Sequence, residues 1–502
     1  MSFRYMSDGI RLHQQPHQGH DGHGASAAPS LDPSQHSAIE TGDNSAGDGG
    51  NGFFSGTEAD AAVATFNPFN AAFAGFQGTA DAHQSNMVQI DQHATQIAGV
   101  GGNGGNDNAA VGGNVPVLDP ASGSGNTLLG SGVLHTGANE AGNGGDGYFY
   151  GGIIHASLAI YEPINITVTA GYDSSAQANQ TNNVTFDQSA IQMAGIGGNG
   201  GNGNIASGGN VGIASSGAGV IASGDNNAGN GGDGHFSGML VDAPVVIYDP
   251  INIAVAGFGG TAQASQSNTV EIDQSAIQIA GVGGNGGNGN AAVGGTLSTL
   301  GSGSGSGSGG NHGALIQTGD SQAGNGGDGY FYGSLVHASF ALYDPVNIAE
   351  AGYNSNAYAG QINNVDLNQS SQQVAGVGGN GGNGNAAVGG NGSIAFAGFG
   401  GGSDTIATGA HGAGNGGSGH ASGTLVDVSV AIYAPINIAV AGPHSTAEAD
   451  QTNNVQFDQS AVQIAGVGAD GGHGNVALGS DFATHLLSDL HLTAWGAKIH
   501  TG

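Results

Sequence analysis

Apolar and polar residues alternate with a period of two along much of the chain, in runs bounded by clusters of Gly, Asn and Asp. A specimen stretch begins with the mostly apolar run Met239–Tyr248 and turns at Asp249-Pro250. It continues with Ile251, Ile253 and Val255 on one face and Asn252 and Ala254 on the other. After the polar segment TAQASQSN, Val270, Ile272 and Gln274 alternate again, and the glycine loop AGVGGNGGNGN closes the stretch at Asn290. Elsewhere Ile164, Ile166 and Val168 are interleaved with Asn165, Thr167 and Thr169 in the same way. Alternating β-branched residues between turn-forming clusters predict strands, not helices.

The stretch is one of five. The motif A-G-[ND]-G-G begins at Ala46, Ala141, Ala228, Ala323 and Ala413, at steps of 95, 87, 95 and 90 residues. A second anchor, [DN]-Q, falls at Asp91, Asp187, Asp273, Asn368 and Asp458, 45 or 46 residues after the first. The first half of each unit therefore has nearly fixed length and predicts structural register. The second half absorbs insertions, among them GSGSGSGSGG at 301–310, and predicts surface loops. The repeats run 41–135, 136–222, 223–317, 318–407 and 408–480. Residues 1–40 read as a disordered, His-rich tail, and 481–502 as a C-terminal cap or secretion signal with a short helix. Tyr161, Tyr248, Tyr343 and Tyr433, each two residues before a proline, are expected in one structural position, with Phe66 in repeat 1.

Composition narrows the architecture. Glycine supplies 103 of 502 residues while 38% are hydrophobic. Interior glycine costs a helix roughly 0.5–1 kcal/mol per residue relative to Ala, yet suits sharp corners and close backbone approach. The expected fold is all-β, an elongated β-solenoid or stacked-strand rod of five repeats of roughly 90 residues with Gly-rich loops. The GGNGGNGN segments are able to pack as polyglycine-II-like helices within it. Five separate β-sandwich domains are the alternative.

Charge excludes partners. Three Lys plus Arg face 36 Asp plus Glu, a formal charge of −33, so the cations that nucleic acids and anionic membranes require are lacking. Divalent cations are the natural counter-charge. No apolar run is long enough for a transmembrane segment, no Cys is present, and the N-terminus lacks the apolar core of a cleavable signal.

Candidate chemistry is sparse. Asp48, Asp146, Asp233 and Asp328 read as equivalent loop positions offering carboxylates for calcium, with Ser418 in repeat 5. The loops GNGGDGYFY and GGNGGNGNAAV, with the acidic balance, resemble the RTX family of calcium-binding, type I-secreted and adhesin-like proteins. That resemblance implies calcium as cofactor and secretion without a cleavable signal. The Asn/Gln stretches, such as Gln180–Asn183 and Gln451–Asn454, resemble those of secreted functional-amyloid subunits such as curli, where aligned amides form ladders. His13, His17, His20 and His23 cluster in the tail, while His155, His235, His337 and His420 lack repeated carboxylate partners at metal spacing. Acidic residues read as recurring once per repeat rather than as a convergent pair, so no active site is expected. The function expected is an extracellular structural repeat protein that self-assembles as a homo-oligomer or polymer into a surface layer, filament or biofilm matrix, with calcium assisting. A monomeric adhesin of cell-surface glycans, or an ice-binding array with a flat face, is the alternative.

Overall fold

The computed structural model describes residues 2–12, 38–41, 43–112, 115–118, 133–207, 211–214, 220–288, 290–293, 297–302, 315–317, 321–383, 386–388, 392–397, 405–407 and 411–471. Over these residues the chain is all-β. Five coils stack so that each strand pairs in parallel with its equivalent one coil away, giving seven sheets. Pairing between repeats, rather than within them, rules out five separate sandwiches.

Each coil contributes three long elements. The first strand has 15 residues (Gly52–Phe66, Gly147–Tyr161, Gly234–Tyr248, Gly329–Tyr343, Gly419–Tyr433). The second has 6 residues (Phe69–Ala74, Ile164–Thr169, Ile251–Ala256, Val346–Ala351, Ile436–Ala441). The third has 22 residues (Thr79–Val100, Thr261–Val282, Asn356–Val377, Thr446–Val467) and is divided in the second coil into Ser175–Asp187 and Ala190–Ile196. First and second strands make one wall of a flat slab, and third strands make the other. Shorter strands after the glycine loops build the remaining sheets.

The space between the walls is narrow, and side-chain size follows from that. Tyr161, Tyr248 and Tyr343 are fully buried against Val184, Phe186 and their equivalents. These rings stack on one another and on Phe66 and Tyr433 at centroid distances of 4.8–5.6 Å, so the expected equivalence of the Tyr-x-Pro positions holds. Where second and third strands face each other the apolar residues are small, as at Ala254, Ala256, Ala262 and Ala264, with Thr167 and Thr169 in the second coil. The large aliphatics of the second strand, Ile251, Ile253 and Val255, point away from the core, and Asn252 points in.

Buried amides then hold the coils in register. Asn165 Nδ2 donates to Asn252 Oδ1 at 2.9 Å, and Asn252 to Asn347 at 2.8 Å. Gln266 Nε2 donates to Gln180 Oε1 at 2.7 Å and across the gap to the Pro250 carbonyl at 3.1 Å. Asn ladders donate toward later coils and Gln ladders toward earlier ones, so the two families of amide dipoles oppose. A buried amide without a partner costs about 1–3 kcal/mol, and a stack shifted by one residue would orphan whole columns. Asn268 accepts from Tyr248 Oη and from Asn182 Nδ2, both at 2.8 Å, and donates to Asn363 at 2.9 Å. Asn268→Ala is therefore expected to cost about 2–4 kcal/mol in denaturant titration, whereas Thr269→Ala, next to it but facing out, changes stability by no more than about 0.5 kcal/mol.

The glycine loops form a second, backbone-only core. One line of hydrogen bonds zigzags between the two loops of successive coils: Gly145 N to Gly102 O, Gly198 N to Gly145 O, Gly232 N to Gly198 O and Gly284 N to Gly232 O, all at 2.7–2.8 Å. Every third residue donates to the next coil, as Gly101, Gly104 and Asp107 do to Ile196, Asn199 and Asn202 at 2.8 Å. The third N–H is taken by an Asn side chain, Asn199 N to Asn103 Oδ1 at 2.9 Å. This three-residue period is the bonding pattern of packed threefold helices, for which glycine is required at the contacts.

Within the segment expected as a tail, Ser2–Leu12 instead forms a strand in parallel register with Met87–Ile97. Residues 13–37, with the clustered histidines, and 481–502, with the expected cap, lie outside the described residues.

Candidate functional site

The carboxylates singled out from the sequence are part of the stacking machinery. Asp146 Oδ1 accepts the backbone N–H of Asp233 at 2.9 Å, Asp233 that of Asp328 at 2.8 Å, and Asp328 that of Ser418 at 2.6 Å. The other oxygens of Asp146 and Asp328 accept from Tyr148 and Tyr330, both at 2.9 Å. Burial, followed by the Asp146 hydrogen bond, pushes the Tyr148 phenol up to about 12. For Tyr330 the bond to Asp328 is the leading cause of a rise to about 12. Burial also raises Asp233, with Asp146 and Asp328 on either side adding to it and the Asp328 N–H opposing.

Asp48 does not belong to this column. Gly52 pairs with Gly147, which puts Asn51 beside Asp146 and Asp48 three residues earlier, beside Asn143. The first repeat reads AGDGGNG where the second reads AGNGGDG, and the motif A-G-[ND]-G-G hides that exchange. Asp48 Oδ1 accepts the Asn143 N–H at 2.7 Å.

Two groups escaped sequence reasoning because their partners lie a whole coil apart. His155 and His337, buried at 1% and 0% exposure, flank Asp242, also 0% exposed. His155 Nδ1 lies 2.7 Å from one Asp242 oxygen and His337 Nδ1 lies 2.9 Å from the other. With Asp60 and Asp427 in register, one core column alternates Asp and His through all five coils. Burial raises Asp427, against the influence of His337. The carboxylate partners that a repeat-by-repeat reading denied to these histidines come from neighbouring coils. His235 and His420 differ: they face outward and stack on Tyr148 and Tyr330.

Asp91, His93 and Asp187 form the second group, on the outer face of the third-strand wall. Their ligand atoms all lie within 4.8 Å of one another, and among the described residues no other set of three or more His, Cys, Asp or Glu residues is so close. His93 Nε2 is 3.5 Å from Asp187, and its Nδ1 contacts Ser189. Asp-x-His on one strand face, with Asp one repeat later, was the available signal.

The walls differ in chemistry. The third-strand wall is polar outside over most of its length, with columns such as Thr185, Glu271, Asp366 and Gln456 bordering a shallow groove, and turns apolar near its end, where Met193, Ile279, Val374 and Ile464 align. The opposite wall is apolar outside, with columns such as Ile160, Ile247, Leu342 and Ile432. Apart from the two clusters above, the polar columns named here are repeated along faces. No helix of the described residues is long and apolar enough to cross a membrane. No family model, curated protein or solved structure matches the chain.

Proposed function

We propose that the protein is a non-catalytic structural scaffold, a stiff rod that polymerises outside the cell into a surface layer, filament or matrix. The supporting observation is the uninterrupted register of backbone, amide and aromatic columns through all five coils. Such a stack ends in unpaired strand edges. Among the described residues no strand covers the far side of Thr446–Val467, and an open edge is a template for the next molecule.

Calcium enters this reading as the bridging counter-ion of a chain of charge −33, because the loop carboxylates are engaged in hydrogen bonds within the rod. Monovalent salt screens over about 10 Å at 0.1 M and only partly relieves repulsion between rods. Light scattering and negative-stain images are expected to show ordered polymers at millimolar calcium and shorter species in chelator. The same monomer in both would contradict the scaffold reading.

A further inference from the structure

We propose that the apolar outer wall formed by the first and second strands is a docking surface for a second copy of this chain, wall against wall. The inference rests on the scaffold reading and names the surface used for lateral pairing.

Outward positions from Ala59 to Phe73, and their equivalents in the other four coils, are nearly all aliphatic or aromatic. Val63, Phe69 and Phe73 are 67%, 66% and 73% exposed in the first coil, and Ile432, Ile436 and Ile438 are 40–43% exposed in the last. In the middle coils the equivalent residues are covered mainly by their neighbours in the same column. Fifteen positions at about 3.3 Å and five strands at about 4.8 Å give a face of about 1,200 Å². A monomer's largest apolar patch is typically about 300–600 Å², and a stable interface buries about 800 Å² per partner.

A second copy is the occupant that fits. The columns repeat at the strand spacing of about 4.8 Å, and a flat face of that pitch interdigitates best with another of equal pitch. Pairing leaves both polar walls in solvent, and with them most of the charge. Closure is two-fold, so the product is a discrete pair rather than a polymer.

One stripe, and Glu350 in the column of Val255 and Val440, oppose the contact. Alternation places Glu162, Asp249 and Asp344 outward at the corner between first and second strands, in the middle of the wall, with Asn67 and Ala434 in the end coils. Two copies bring two such stripes together, so the stripe limits the affinity of the pair.

Sedimentation velocity of the full chain over about 1–100 µM tests this. The wild type is expected to pair. Ile160→Asp/Ile247→Asp/Leu342→Asp is expected to weaken pairing about 100-fold or more, and Thr185→Asp on the opposite wall to leave it unchanged. Glu162→Gln/Asp249→Asn/Asp344→Asn, which adds no bulk or charge, is expected to tighten it about tenfold and keeps the test decisive if the triple Asp variant misfolds. Polymers that persist in images while pairs disappear would uphold both readings. Equal association of wild type and wall variants overturns the docking surface and leaves the scaffold standing. A wild type that stays single, or that binds neutral lipid vesicles through this wall instead, also overturns it.

Discussion

Asp242→Ala is expected to be among the most damaging single substitutions in the chain, lowering the free energy of unfolding by about 3–5 kcal/mol. The carboxylate is 0% exposed, and each of its oxygens serves one buried imidazole, His155 at 2.7 Å and His337 at 2.9 Å. Its removal leaves two ring nitrogens without partners where water does not reach. Asp242→Asn keeps one acceptor and is expected to cost about 1–3 kcal/mol. Urea titration of the three proteins checks the order, wild type above Asn above Ala. Equal midpoints for all three would show that the column contributes nothing.

Gly284→Ala is expected to be tolerated as poorly. An added methyl would lie 2.0 Å from the carbonyl oxygen of Gly198 and 2.5 Å from its carbon. Both are backbone atoms held by the glycine-loop hydrogen bonds, so no rotamer change relieves the clash and the second and third coils must separate locally. The cost is about 3 kcal/mol or more, above the usual overpacking range. Gly50→Ala is the control, since an added methyl there meets nothing within 4 Å. Thermal melts are expected to show a large downshift for the first and little change for the second.

The legible part of the fold was its period. Strand alternation, fixed spacing between anchors and the Tyr-x-Pro landmark follow from local geometry, which one sequence displays in full. Facing was less legible. Ile251 and Ile253 would ordinarily be placed inside and Asn252 outside, yet the narrow core reverses them, because it admits Ala and hydrogen-bonded amides but not stacked isoleucines. Hydrophobic residues inside is a one-way rule. The site was least legible. Asp48 fell out of its column through an exchange of Asp and Asn inside one motif, and Asp242 found its histidines only through coils 87 and 95 residues away. Register at single-residue precision is what couples such distant positions.

That register is the central claim, and the absence of native Cys makes it directly measurable. Asn183 and Thr269 face outward on adjacent coils and pair in register. Spin labels on Asn183→Cys/Thr269→Cys should sit within about 5–10 Å of each other, given the strand spacing of about 4.8 Å. The account predicts strong spin–spin broadening in this double variant, absent from either single variant and from Asn183→Cys/Gln263→Cys, in which the second label is moved six residues along the strand. A sharp spectrum from the registered pair, indistinguishable from the sum of the singles, would contradict it.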